Sequence, residues 1–426
     1  MTLMLIFIFL IVVVIGVPVG ISMAFSTIVS FFALDGNVSI IASRLFNGMD
    51  NFQFACIPFF ILAAELMTNG GIVSRIVKFC KTLVGHIPGG LAHMNVLSSM
   101  FFAGLSGSAN ADAAGPGKVE YNLMVKAGFP KPFSAAVTAA TAIIGPIIPP
   151  STVMVIYCVA AQNVSITAMF LGGIAPGIIM GIALMILCLI IAIKDHHPRD
   201  AKFAGFKAIF QSLFKMLPAV FLPVLILGGV MTGIFTPTES SIVAVFYSLI
   251  VATFVYKRMT WKRLYSCVIS TAKTTASIYF IVSIAISMGW AITTLRIPQT
   301  LSDIIMSFAT SKEAFLLIAN IILLILGMIM DITPAILVMT PILLPIAMKY
   351  GIDPIQFGII FVINMCIGLI TPPVGMVLFI TSNVAKLELS KLYRAIIPFC
   401  VVEIAVLLLI TYIPWISTFI PRLFGY

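Results

Sequence analysis

Charge is the scarcest feature of this 426-residue chain: Asp, Glu, Lys and Arg make up 9% of it, against 61% hydrophobic residues. Soluble domains carry about 25% charged and 45–50% apolar residues, so a water-soluble globule is excluded. Apolar runs of 18 or more residues recur and fit a polytopic helical membrane protein; their continuity, without alternation, excludes a β-barrel. Histidine is nearly missing, with four residues, and no HExxH or spaced His/Cys/carboxylate set occurs, so metal catalysis lacks ligands. No Ser/His/Asp arrangement and no GxxxxGK[ST] loop is present, which leaves an enzyme, and ATP hydrolysis in particular, without residues to act. The seven cysteines form no CxxC and lie mostly in apolar runs, as buried small side chains. No charge precedes Asp35, so the N-terminus lacks the basic region of a cleavable signal and reads as membrane helix.

The charge that is there is unevenly placed. Fifteen of the 24 Lys and Arg fall in four clusters, at 75–81, 194–215, 257–263 and 386–394. Basic loops beside spans mark the cytoplasmic side and face an anionic lipid leaflet, so the net charge of +10 points to membrane lipid and not to nucleic acid. The mixed segments 75–86 and 199–215 are expected to lie along the membrane surface.

Candidate spans are 52–72, 133–157, 166–193, 216–234, 238–256, 266–293, 355–382 and 395–420, with 1–34 forming one long helix or two short ones broken at "GVPVG". Placing all four basic clusters on one side imposes a parity. The segments 94–131 and 313–349 must each cross the membrane an even number of times. Each reads as two apolar arms around a polar tip, "GSANAD" and "MDITP", and a re-entrant hairpin is the economical answer.

Each hairpin is followed by an uncharged span broken by prolines, "GPIIPPST" at 145–152 and "GLITPPVG" at 368–375. A single ungapped register of the chain on itself superposes the two units: Gly104 on Gly327, Lys126 on Lys349, Gly128 on Gly351, Gly145 on Gly368, and Pro149-Pro150 on Pro372-Pro373. The matches fall on residues that set backbone shape, not on Leu, Ile and Val. By the parity count the hairpins open from opposite faces, so the repeats are inverted. Paired interruptions in inverted halves point to the binding site of a secondary transporter.

Unpaired backbone at membrane depth is tolerated only where protein or a water-filled cavity satisfies it. The prolines free the carbonyls of Gly145 to Ile148 and of Gly368 to Thr371, which suit a hard monovalent cation. The helix that resumes after each break aims its positive N-terminus at an anion. The tips add Ser106, Ser108, Asn110, Asp112, Asp331 and Thr333, and Thr141 and Asn364 lie one turn before their breaks, related by the same register. An acid at membrane depth costs about 2.5–3.5 kcal/mol, which singles out Asp331. Asp112 is expected near the interface with Lys118, and Glu403 is expected at the interface. Glu65 and Glu239 are read as scaffold or capping groups, with Thr236 and Glu239 at capping-box spacing.

The stretches "GVPVGISMAF", "IPFFILAAELM", "GLSGSANADAAGPG", "GIFTPTESSIVAV" and "GIDPIQFGIIFVINMCIGLITPPVGMVLF" together resemble the large membrane (M) subunit of tripartite ATP-independent periplasmic (TRAP) transporters, over nearly the whole chain. The resemblance implies an elevator-type, sodium-coupled importer of organic carboxylates, sialic acid or a C4-dicarboxylate, in the bacterial inner membrane. It implies a separate small four-helix membrane (Q) subunit and a periplasmic substrate-binding (P) protein as partners. No cofactor beyond coupling sodium ions is expected. Carried over by motif, sodium falls at Ser106, Ser108 and Asn110 with Gly145 and Ile148, and at Gly327, Asp331 and Thr333 with Gly368 and Thr371. Substrate falls at Ser106, Asn110, Thr141, Ser151, Thr333 and Asn364. The implied organisation is scaffold helices and an interfacial arm in 1–93, a first transport repeat in 94–193 (hairpin 94–131, broken helix 133–157), a basic loop with scaffold helices and a second arm in 194–312, and a second repeat in 313–426 (hairpin 313–349, broken helix 355–382). The same architecture without partners, a self-sufficient sodium- or proton-coupled dicarboxylate transporter, is the alternative.

Overall fold

Apolar runs fold into helices, and the computed structural model describes residues 4–33, 38–47, 49, 52–162, 164–199 and 203–426. The fold is all-α and polytopic, with no strand among the described residues. Among the described residues seven helices are long and apolar enough to cross a membrane, or eight if Cys56–Asn69 and Val73–Val84, which meet at 69°, count as one span. That bend turns the basic stretch 75–81 away from the line of the preceding helix.

The first hairpin comprises Gly90–Ser106, a short helix Ala109–Ala114 at the tip, and the returning Pro116–Lys126. The second comprises Lys312–Ile329 and Ile332–Lys349, two arms of about 27 Å each at 1.5 Å per residue. Each is followed by a helix that stops and resumes: Lys131–Ala142 then Thr152–Ala161, and Pro354–Gly368 then Met376–Ala385.

The register that aligns the two proline pairs also relates local geometry at several positions. The descending arms end at Ser106 and Ile329, and the returning arms at Lys126 and Lys349; the broken helices begin at Lys131 and Pro354. Ser108 and Asp331 cap the segments after the tips through their side chains. Gly128 and Gly351 adopt φ of 93° and 70°, a left-handed turn that side chains resist. Pro149-Pro150 and Pro372-Pro373 are both cis.

The repeats interlock reciprocally. Thr152–Ala161 of the first packs on Ile332–Lys349 of the second, and Tyr157 Oη donates to the Pro354 carbonyl at 3.0 Å. Met376–Ala385 of the second packs on the tip helix and returning arm of the first, and Tyr121 Oη donates to the Ala385 carbonyl at 3.2 Å. Each half thus supplies a wall of the other.

Around this unit stand Met4–Val14, Val19–Ala33, Cys56–Asn69, Phe206–Met231, Pro237–Ile250 and Trp261–Thr294. Residues 4–33 are two helices, parted between Val14 and Val19 around Gly16 and Pro18. The Thr236–Glu239 capping box is complete, with both reciprocal bonds made. Two readings need correction. Part of the basic segment 199–215 does not form a separate surface helix: Lys207 and Lys215 belong to the continuous 26-residue Phe206–Met231, and residues 200–202 lie outside the described residues. Glu403 is not interfacial: it stands fully buried on Leu389–Tyr412, and neither carboxyl oxygen has a hydrogen-bond partner among the described residues. All seven cysteines are buried, and none is in a disulfide among the described residues.

Candidate functional site

The tips of both hairpins meet the helices Cys56–Asn69 and Trp261–Thr294, read from the sequence as scaffold, around one cavity of about 710 Å³. Ser106, Ser108, Asn110, Asp331 and Thr333 line it, so two tips from opposite halves of the sequence converge on one space. Gly145, Ile148, Gly327, Gly368 and Thr371 lie behind that surface, in the breaks and the arm.

In the first tip, Ser106 Oγ donates to Asp112 Oδ1, and the Ser108 N–H donates to Ser106 Oγ at 3.3 Å. Asp112 is buried, whereas Lys118 is exposed, so the expected interfacial pair does not form. The short helix Ala109–Ala114 explains the difference, because it turns the carboxyl inward, toward the break. Asp112 Oδ2 lies directly over Gly145, where even a methyl group would collide with it, and this oxygen has no hydrogen-bond partner among the described residues. Asn110 donates through Nδ2 to Met376 Sδ at 3.5 Å and leaves its buried Oδ1 unpaired.

Beneath them the first break leaves the carbonyls of Gly145, Pro146, Ile147 and Ile148 without a hydrogen bond among the described residues. The second break is more satisfied. Gly368, Leu369 and Ile370 accept from the Thr371 N–H, the Val377 N–H and Cys400 Sγ respectively, so of the carbonyls from Gly368 to Thr371 that of Thr371 is the one left bare among the described residues. Asp331 sits over this side with one carboxyl oxygen accepting from the Ile332 N–H at 2.9 Å. Thr371 Oγ1 donates to the Ile367 carbonyl at 2.7 Å. Gly327 and Gly368 touch backbone to backbone: a Cβ on Gly368 would meet Gly327 at 2.5 Å. Their equivalents part company here, since Gly104 faces Pro223 of the scaffold while Gly145 faces Asp112.

Thr141, Ser151 and Asn364 are buried and placed away from the cavity lining. Thr141 Oγ1 donates to Asn95 Oδ1 at 2.7 Å, and Asn364 pairs through Nδ2 with Asn320 Oδ1. In both repeats a polar pair therefore ties the descending arm to the broken helix. Ser151 caps Thr152–Ala161, whose first two residues do reach the cavity.

Sequence reasoning missed the opposite wall. Glu65 and Thr68 on one scaffold helix and Thr274 and Ser277 on the other face the tips. Glu65 is pinned by Ser270 Oγ at 2.7 Å and Asn69 Nδ2 at 2.9 Å. The available signal was the i, i+3 spacing of polar residues in otherwise apolar helices, which puts them on one face.

A family model described as "Tripartite ATP-independent periplasmic transporter, DctM component" matches residues 6–416. The 2,3-diketo-L-gulonate TRAP transporter large permease protein YiaN of Escherichia coli is 41% identical over 416 residues, covering 96% of this chain and 97% of that one. The sialic acid TRAP transporter large permease protein SiaM of Vibrio cholerae is 37% identical, covering 96% of each. The crystal structure of the Alcanivorax borkumensis YdaH transporter superposes with a TM-score of 0.63 at 14% identity, covering 88% of this chain and 87% of that one; it is a likeness of fold.

Proposed function

The chain belongs to the DctM component family of tripartite ATP-independent periplasmic transporters, a family of multi-pass inner-membrane proteins, and we propose that it moves an organic carboxylate by sodium-coupled symport. The relatives are named for carriage of a sugar acid and of sialic acid, and both are organic carboxylates. In this reading the protein is a carrier and not an enzyme, and works with a small membrane subunit and a periplasmic substrate-binding protein.

One observation carries the coupling: carbonyls at Gly145–Ile148, bare among the described residues, lie under a buried carboxylate oxygen of Asp112 that has no hydrogen-bond partner among them. Hard oxygens without donors, in an apolar surround, fit a monovalent cation, which neutralises the acid and occupies the carbonyls together. Ser106, Ser108, Asn110, Gly145 and Ile148 belong to this first seat. Asp331, Thr333, Gly327, Gly368 and Thr371 belong to its counterpart, where Asp331 and the bare Thr371 carbonyl supply the charge and the oxygen. Substrate then contacts Ser106, Asn110 and Thr333 at the tips, while Thr141, Ser151 and Asn364 hold the breaks in shape behind it. Charge matching makes the cations prerequisites for the anion, which is the basis of symport. The two hairpins and two broken helices would move as one body against the scaffold.

The test is sodium-driven uptake into vesicles containing the assembled complex. Asp331→Asn and Thr371→Leu are expected to abolish sodium-dependent uptake while the complex still assembles. Full uptake by both variants overturns the assignment of the second seat.

A further inference from the structure

The cavity is poor in positive charge. Among the described residues that line it there is no Lys, Arg or His, whereas three acids, Glu65, Asp112 and Asp331, face it. Two monovalent cations match Asp112 and Asp331 and leave Glu65, on the scaffold side, uncompensated. The seats for an anion are fewer still. The helix Ile332–Lys349 has its N-terminus answered by its own cap, since Asp331 already accepts the Ile332 N–H. The helix beginning at Thr152 also opens on the cavity, and its cap is the neutral Ser151, so its positive end is not cancelled by a charge of its own. The opposite wall is of a different kind: Glu65 beside Thr68, Thr274 and Ser277, with the Thr68 and Thr274 hydroxyls making no hydrogen bond to protein among the described residues.

We propose that the cargo of this cavity is a singly charged, hydroxyl-rich acid, which sets its one carboxylate toward the hairpin tips and its hydroxyl-bearing body against Glu65, Thr68 and Thr274. This rests on the carboxylate-carrier reading above and narrows it. Glu65, fixed by Ser270 and Asn69, accepts hydrogen bonds from cargo hydroxyls, and the two threonines give and take others. A second carboxylate at that end would meet Glu65 with no cation to share. Like charges so placed discriminate by roughly 100-fold. An acid without hydroxyls would strip water from Glu65 and return nothing.

The inference is tested with three six-carbon probes that differ by one feature each: gluconate with one carboxylate and hydroxyls, glucarate with a second carboxylate, and hexanoate without hydroxyls. Binding is read on the purified full-length chain in nanodiscs, with sodium, by ligand-induced thermal shift and titration. Gluconate should bind, with glucarate and hexanoate roughly 100-fold weaker or undetectable. Glu65→Gln keeps the hydrogen bonds to Ser270 and Asn69 feasible, and should narrow the gluconate–glucarate gap at least tenfold. Glucarate or hexanoate binding as well as gluconate overturns this inference and leaves the carboxylate reading standing. Binding of none of the three overturns this inference, the carboxylate reading being overturned by loss of all sodium-driven carboxylate uptake in the assembled complex, and an unchanged gap in Glu65→Gln removes Glu65 as the discriminating group.

Discussion

At the scale of single residues, burial decides what sequence position cannot. Asp331 is legible as functional because an acid between two apolar arms has no cheap place to sit. Asp112 is not, because the small side chains around it give no periodicity from which to infer its direction. Glu403 escapes the default that acids seek water, although its place well inside the 24-residue helix Leu389–Tyr412 already argues for the interior. Thr236 and Glu239 are legible outright, since a capping box is a local motif with a fixed spacing. Replacing Thr236 by Ala should cost about 0.5–2 kcal/mol, because the Glu239 N–H then loses its acceptor at an exposed helix start. Thermal unfolding of the purified variant in detergent measures it, and transport by surviving protein should be unchanged.

At the scale of elements, the internal repeat foretells helix ends, caps, left-handed glycines and the two breaks, because each is set by a few adjacent residues. What elements touch is less legible. Gly327 and Gly368 read as ion-site glycines, yet their backbones also lie against each other, and no local pattern encodes that approach. A methyl at Gly368 would overlap Gly327 at 2.5 Å, so Gly368→Ala should destabilise the protein by about 1–3 kcal/mol, the range for overpacking. Gly228 supplies the contrast: it lies within Phe206–Met231, and a Cβ there meets nothing within 4 Å. Gly228→Ala should therefore raise stability by up to about 1 kcal/mol through helix propensity. Melting temperatures moving apart in opposite directions would confirm the pair; a neutral Gly368→Ala would show that the two helices can separate.

At the scale of the whole molecule, parity of basic clusters is enough to demand two hairpins, but not to show that their tips share one cavity with the scaffold. That convergence is a long-range property, created by packing between segments from opposite halves of the chain. It makes relative movement testable. Ser277 belongs to the scaffold wall and Thr333 to the second tip, and both line the cavity. If the hairpin unit travels against the scaffold, a cross-linker between Cys residues placed at 277 and 333 should arrest uptake, and cleaving it should restore uptake. Uptake that persists with the link intact would mean that the two walls do not part during transport.

The reciprocal packing of the two halves also has a consequence for biosynthesis. Thr152–Ala161 is made long before its partner Ile332–Lys349, which belongs to the last quarter of the chain. At about 5–20 residues per second the delay is roughly 10–40 s. Throughout that interval the nascent first half holds Thr152–Ala161 without the helix that packs on it in the finished protein. A chain truncated before the second hairpin is therefore expected to be degraded faster than the full-length protein, which a pulse-chase comparison of the two would measure.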